Sequence, residues 1–246
     1  MTDVLPAERA AQAASDMTAA QAAIHQLEAC GATTVFGIPG VHTLALYDAL
    51  LDSSMTHILA RHEQGAGFMA DGFARATGQP AVALVITGPG VTNVATPIGE
   101  AYTDSSPVFV LSSNVEKAHL DAMRGNLHDL KDQRAVMRAV TKWHDRATEA
   151  GDVPRLVAEG WQAMTSGRRL PVHLEVPLDV LDEPIGDAAI EPCEDQTTSA
   201  DIANEVEQAA EMLSGAKRPV IYAGRGRPPQ GRARPSSASQ SDSMRR

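Results

Sequence analysis

Short runs of apolar residues alternate along this chain with stretches of helical character. Of all the sequence features, this alternation most restricts the folds that the chain can adopt. Strand-sized apolar runs lie at residues 34–36, 57–60, 81–86, 108–111, 141–143 and 172–176. Helices are predicted at residues 17–30, 44–51, 65–76, 93–102 and 154–166, the first of them capped by Ser15 or Asp16 and ended by Gly31. Runs that are apolar throughout are typical of strands buried on both faces. The pattern therefore predicts an α/β fold, a doubly wound parallel sheet with helices on both faces.

A change in composition after residue 181 divides the chain. Residues 17–181 carry the alternation, and residues 182–200, rich in acids, Pro and Thr, are typical of a linker. A predicted helix at 201–213 and a predicted strand at 219–222 indicate the start of a second α/β domain, cut short within residues 201–226 because two elements cannot bury a core. We expect residues 1–16 to be a flexible N-terminus and residues 227–246 to be a disordered basic tail.

The charge and the lengths of the apolar runs exclude several kinds of partner. The net charge is -10 even though the tail is rich in arginine, so the body is acidic and disfavours nucleic acid and anionic membranes. No apolar run is long enough to span a bilayer, and the N-terminus does not resemble a secretory signal, so we expect a cytoplasmic protein. Cys30 and Cys193 form no C-x-x-C pair, and we expect them to be ordinary thiols.

Two loops that contain glycine and proline follow predicted strands. The first is Gly37-Ile38-Pro39-Gly40, and the second is Thr87-Gly88-Pro89-Gly90-Val91-Thr92-Asn93. Loops at the carboxyl ends of parallel strands line the ligand crevice of an open sheet, so both are expected at one site. Either loop taken alone would favour a tight turn over a binding loop.

Glu63 lies at the same edge of the predicted sheet, between an apolar run and a helix rich in glycine and alanine. The small residues Gly65, Ala66, Gly67 and Ala70 leave room for a flat ligand or a second backbone. A carboxylate kept from water in such a place has a raised pKa and can share a proton with a ring nitrogen. Taken alone, a glutamate at a helix start would favour a surface acid stabilised by the helix dipole.

The order of these motifs resembles the amino-terminal pyrimidine-binding domain of thiamine diphosphate enzymes of the acetolactate synthase type. The matching segments are residues 31–40, 61–66, 87–93, 101–107 and 171–177. The resemblance covers about residues 17–181, with a weaker likeness to the family's middle domain as far as Gly226. It implies the thiamine diphosphate-binding fold for the first domain.

The resemblance also implies roles for individual residues. Glu63 is then the acid that hydrogen-bonds the ring nitrogen of the aminopyrimidine, and the cofactor is the electron sink for decarboxylation of a 2-keto acid. Family sites form between two chains, so a homodimer or tetramer is expected. His128 stands where a substrate-side glutamine usually lies, although it is equally consistent with an ordinary loop histidine. The residues expected to line the cofactor are Gly37, Ile38, Pro39, Gly40, Glu63, Gly88, Pro89, Gly90 and Asn93.

The family binds the diphosphate through Mg²⁺ in a carboxyl-terminal domain that carries Gly-Asp-Gly. This chain has no such tripeptide, since residues 151–153 and 186–188 differ at the third position. We therefore expect no metal ligand here, binding of the pyrimidine end only, and Mg²⁺ only with a carboxyl-terminal domain. We also expect the chain to be truncated or frame-shifted and inactive alone.

Three functions stay open at this point. The first is an incomplete acetolactate synthase-like decarboxylase or carboligase. The second is the pyrimidine-domain subunit of a two-chain decarboxylase, which the start of a second domain at residues 201–226 disfavours. The third is a non-catalytic nucleotide-binding or interaction module, although no strand is followed by G-x-G-x-x-G or by G-x-x-x-x-G-K-[ST].

Overall fold

A parallel sheet forms the centre of the first unit of the protein. The computed structural model describes residues 16–193 and 202–220. Within them six strands form one sheet in the order β2-β1-β3-β4-β6-β5, and every neighbouring pair is parallel. The strands are β1 Thr34–Gly37, β2 Thr56–Leu59, β3 Ala81–Val85, β4 Val108–Asn114, β5 Trp143–Arg146 and β6 Val172–Pro177.

Helices cover both faces of this sheet, which confirms the predicted doubly wound fold. They are α1 Ala19–Ala29, α2 Leu44–Leu51, α3 Glu63–Thr77, α4 Pro89–Thr103, α5 Gln133–Arg138, α6 Val153–Thr165 and α7 Leu178–Asp182. Helices α1, α2, α6 and α7 bury one face, and α3, α4 and α5 bury the other. Alternate residues of β3 fall into the two clusters, Leu84 into one and Val85 into the other, which explains the uninterrupted apolar run. No helix in the described part of the chain has the length and apolar character to span a bilayer.

Several helices and strands begin or end at residues other than those predicted. Helix α1 begins at Ala19 rather than at residue 17, because the Thr18 side chain accepts from the backbone N–H of Gln21 and forms a capping box. Helices α3 and α4 begin earlier than predicted, at Glu63 and Pro89. Strand β5 is shifted toward the carboxyl end relative to the predicted residues 141–143. The short helices α5 and α7 were not predicted.

Cys30 and Cys193 form a disulfide in the structure, so the expectation of two ordinary thiols is wrong. Their Cα atoms are 4.5 Å apart although 163 positions separate them in sequence. Residues 183–193, which fall in the predicted linker, pack against α1 and bring the two cysteines together. Ile185 is buried there, and the Gln26 amide bonds both the N–H and the C=O of Glu191.

The chain divides into two units after Thr198, and residues 202–220 are the described part of the second unit. Helix α8 spans Ala203–Gly215, and all its side chains are exposed. Of the predicted strand at 219–222, residues 219–220 are irregular and the rest lies outside the described residues. The expected flexible N-terminus, apart from Asp16, and the expected disordered tail also lie outside them.

The strand order creates a switch point between β1 and β3. The chain passes from β1 outward to β2 and then returns to pair β3 with the other side of β1. The connections that leave β1 and β3 therefore run to opposite faces of the sheet and open a crevice at its carboxyl edge. The two glycine loops are these connections.

Candidate functional site

The two glycine loops meet on the side chain of Ile86. A Cβ atom added to Gly40 would collide with Cδ1 of Ile86, and one added to Gly90 would lie 2.8 Å from its Cγ2. Any larger residue at either position would push the loops apart. Glycine therefore brings the first and second loops together at the switch point.

Glu63 lies beside the second loop, at the first position of α3. The preceding residue, His62, caps this helix by accepting a hydrogen bond at Nδ1 from the backbone N–H of Gln64, 3.1 Å away. Nδ2 of Asn93, in α4, donates to Oε2 of Glu63 at 3.0 Å. Within residues 16–193 this bond uses Oε2 of the Glu63 carboxylate, and no hydrogen bond reaches Oε1. Oε1 is therefore available to a ligand.

A glycine contact between α3 and α4 makes this pairing possible. A Cβ atom at Gly67 would collide with Pro97 and would lie 3.0 Å from Val94. Because position 67 has no side chain, the two helices pack closely on the same face of the sheet. The amino-terminal end of α3 is thereby brought to Asn93.

Tyr47 is a part of the site that the sequence analysis missed. Its hydroxyl group donates to the carbonyl of Leu84 at 3.2 Å, and a Cβ atom at Gly37 would collide with both groups. Burial and then the negative charge of Glu63 raise the pKa of Tyr47 well above its ordinary value. The phenol therefore stays protonated beside the first loop.

The second loop begins at Gly88, which has a left-handed backbone with φ of +63°. A Cβ atom there would collide with the backbone carbonyl of His128. The imidazole of His128 lies 5.9 Å, centroid to centroid, from that of His42. Burial and the neighbouring His128 lower the pKa of His42, so the structure places a neutral histidine and His128 next to this loop.

A buried polar network lies beneath the second loop, at the carboxyl ends of β3, β4 and β6. The Gln133 side chain is at its centre and bonds the backbone N–H of Gly88, the Thr87 hydroxyl group and the Glu175 carboxylate, each at 2.8 Å. No sequence motif predicted this network. Polar residues 112–114, which end the apolar strand β4, and Glu175, inside the apolar strand β6, were the available signals.

Glu175 and His173 are both fully buried in this network. Burial raises the pKa of Glu175, while the adjacent Arg146 guanidinium and the Gln133 amide oppose this rise. Burial lowers the pKa of His173 to about 3, and its Nε2 lies 2.8 Å from the Ser112 hydroxyl group. Neutral His173 thus completes the polar layer under the loop.

A glycine-lined crevice at a switch point, with one carboxylate at a helix start, is typical of an α/β domain that binds a coenzyme or nucleotide. The sequence also matches a known protein family. Residues 17–136 match the N-terminal TPP binding domain of thiamine pyrophosphate enzymes. The chain belongs to this family.

Individual relatives carry two kinds of name. The chain is 46% identical over 211 residues to a protein of Pseudomonas aeruginosa named as a probable 2-ketoarginine decarboxylase. It is 36% identical over 231 residues to the acetolactate synthase large subunit of Corynebacterium glutamicum, and 36% over 214 residues to the isozyme 2 large subunit of Escherichia coli. These matches cover 85%, 92% and 85% of this chain. The chain spans 36% to 38% of the length of these relatives.

Proposed function

We propose that this chain binds the pyrimidine end of thiamine diphosphate and supplies Glu63 to a 2-keto acid decarboxylase or carboligase. The observation that carries the proposal is the position of the Glu63 carboxylate. It lies beside the second glycine loop, with Oε2 held by Asn93 and Oε1 available to a ring nitrogen. The family match and the names of the relatives support the same cofactor.

The residues of the crevice fit an aminopyrimidine. Gly40 and Gly90 hold both loops against Ile86, and the space beside Gly65, two residues after Glu63, is open, since an added Cβ there would meet nothing within 4 Å. A flat ring can approach the backbone at such positions. The expected cofactor-lining residues Ile38, Pro39 and Pro89 belong to the same two loops.

The chain's own residues would hold and orient a proton. Asn93 fixes one carboxylate oxygen of Glu63, so the other points in a constant direction and can share a proton with the ring nitrogen. The protonated hydroxyl group of Tyr47 keeps a second negative charge away from Glu63. We assign His128, whose backbone carbonyl lies against Gly88, to the substrate side. When bound, thiamine diphosphate supplies the electron sink for the loss of carbon dioxide from a 2-keto acid.

Between the two activities, the similarity favours decarboxylation. Identity is higher to the relative named as a 2-ketoarginine decarboxylase, at 46%, than to the acetolactate synthase subunits, at 36%. His128 also departs from the glutamine expected in the synthases. A carboligase is therefore the second candidate.

The diphosphate and its Mg²⁺ would be bound by another domain, in the same protein or in a partner subunit. The sequence has no Gly-Asp-Gly, and diphosphate and metal contacts supply much of the binding energy of such a cofactor. We therefore expect weak cofactor binding and no release of carbon dioxide from pyruvate by this chain alone. Release at a rate proportional to chain concentration would contradict this expectation.

A second copy of this chain is the partner that the surface of α3 fits best. One face of the helix is exposed and carries Gly65, Phe68, Met69, Gly72 and Ala76, which recur at helical spacing. An added Cβ at Gly65 or Gly72 would meet nothing within 4 Å, so the large side chains of a symmetric copy can enter these gaps. Glu63 begins this face, so the site would lie at the interface of a homodimer or of a tetramer built from it. We also propose that the protein is cytoplasmic.

Calorimetric titration of the whole chain tests the proposed ligand. The ligands are thiamine diphosphate, 4-amino-5-hydroxymethyl-2-methylpyrimidine and ATP. We expect both pyrimidine compounds to bind, with the ring alone retaining a measurable part of the affinity. Binding of ATP without either pyrimidine compound would instead support the non-catalytic nucleotide-binding module.

A further inference from the structure

We propose that Gln133 is a positioning residue for the cofactor-binding turn at Gly88, which it anchors to the buried Glu175 carboxylate. The inference rests on the proposed function, because it assigns a role toward the pyrimidine cofactor. Gln133 begins the short helix α5 and its side chain is completely buried. It lies between the turn and the ion pair of Glu175 with Arg146.

The oxygen of the Gln133 side chain holds the turn. Oε1 accepts from the backbone N–H of Gly88 and from the Thr87 hydroxyl group, both at 2.8 Å. Gly88 is the N-cap of α4. The direction of its backbone therefore sets where the first turn of that helix, and Asn93 beyond it, point.

The nitrogen of the same side chain is bound on the opposite side. Nε2 donates to the Glu175 carboxylate and to the backbone carbonyl of Ser113, both at 2.8 Å. The orientation of the amide is fixed by its partners, because the N–H of Gly88 can only donate and the carbonyl of Ser113 can only accept. Rotation by 180° would break both contacts.

The anchor itself is held by further contacts. The Glu175 carboxylate pairs with Arg146, and the Arg146 guanidinium also donates to Asp121 at 3.1 Å. Because Glu175 is fully buried and binds Arg146 as well as Gln133, this end of the amide is the fixed one. The turn at Gly88 is held relative to it.

An apolar residue of similar size at position 133 would keep the packing and remove the anchor. The buried N–H of Gly88 would then lack its acceptor, which costs folding free energy. A change in the turn that exposes this N–H to water would relieve the cost. If the Gln133 amide were purely structural, its removal would lower only the stability of the fold. A positioning amide also affects the affinity for the ligand that the turn contacts.

Gln26 provides a matched control. It is also buried, and both ends of its amide bind the backbone of Glu191, at 3.1 Å and 2.6 Å. It belongs to α1, which covers the face of the sheet opposite to α3 and α4. Gln26→Met and Gln133→Met thus remove equivalent amides, one away from the crevice and one beneath it.

The experiment compares the whole chain with these two variants. We expect urea unfolding to show a similar loss of stability in both. Thiamine diphosphate affinity should fall at least tenfold in Gln133→Met and less than twofold in Gln26→Met. Unchanged affinity in a folded Gln133→Met variant, or an equal loss in both variants, would overturn the positioning role.

A second measurement needs no variant and no ligand. Amide hydrogen exchange of the wild-type chain, followed by NMR, should show a protected N–H at Gly88, and rapid exchange there would overturn the proposal. If the wild-type chain binds no thiamine compound but this amide is protected, the anchor is retained and the proposed function fails instead. The two failures are therefore distinguishable.

Discussion

The backbone carbonyl of His128 occupies the space that a side chain at Gly88 would need. Position 88 also has a left-handed backbone, with φ of +63°. Two independent requirements therefore demand glycine where the second loop enters α4. The loop that carries His128 and the loop that begins α4 are in contact only because of this residue.

Gly88→Ala tests this relationship. We expect a loss of about 2 kcal/mol or more in the free energy of unfolding, since the left-handed backbone costs about 1 kcal/mol and the collision adds to it. Thiamine diphosphate affinity should fall as well. Gly125→Ala is the control, because Gly125 has φ of +80° but nothing within 4 Å of an added Cβ. Equal losses in both variants would show that the contact with His128 contributes nothing.

Phe68→Glu tests the proposed dimer. Phe68 is 44% exposed at the centre of the α3 face, so a buried charge there should disrupt the symmetric contact. We expect sedimentation equilibrium to give a dimer for the wild-type chain and a monomer for the variant. Leu51→Glu is the control, since Leu51 is 80% exposed on α2 and should leave the dimer intact. A wild-type monomer at high concentration would rule out the surface.

The buried His173 predicts a specific dependence of stability on pH. Its pKa is about 3 in the folded protein and 6.5 in the unfolded chain, so only the unfolded chain gains this proton between those values. Folding stability should therefore fall as the pH drops from about 6.5 toward 3, by about 1.4 kcal/mol for each pH unit. The raised pKa of Glu175 acts in the opposite direction and is present with or without His173.

Comparison with His173→Gln isolates this contribution. Urea unfolding of both proteins at pH 7, 6 and 5 should give a steeper acid loss for the wild-type chain. Parallel losses would mean that His173 takes up its proton in the folded state.

Sequence patterns predicted the layers of this fold because both faces of the sheet are buried. Uninterrupted apolar runs located β1, β3 and β4, and the helix over residues 44–51 matched α2 in full. Strand β5 was misplaced because Trp-His-Asp-Arg lies half-buried at an edge and has no apolar run. The pairing of Cys30 with Cys193 depends on the path of residues 183–193, which no local pattern records.

The residues of the candidate site also differ in whether the sequence could predict them. The glycine loops and Glu63 were visible because turn residues and a helix start have local signatures. Gln133, Tyr47 and Glu175 were not, because each is an ordinary polar residue until the topology buries it. Only the strand order, which inserts β6 between β4 and β5, brings Glu175 beneath the second loop.

The central claim is that Glu63 shares a proton with the pyrimidine ring, and ¹⁵N NMR of bound, ring-labelled thiamine diphosphate tests it most directly. Spectra are compared for the wild-type chain, Glu63→Gln and Glu100→Gln, the last altering an exposed acid on α4. We expect the ring nitrogen opposite Glu63 to show the shift of a protonated nitrogen in the wild-type chain and in Glu100→Gln, and that of an unprotonated one in Glu63→Gln. The same shift in all three proteins would contradict the assignment of Glu63.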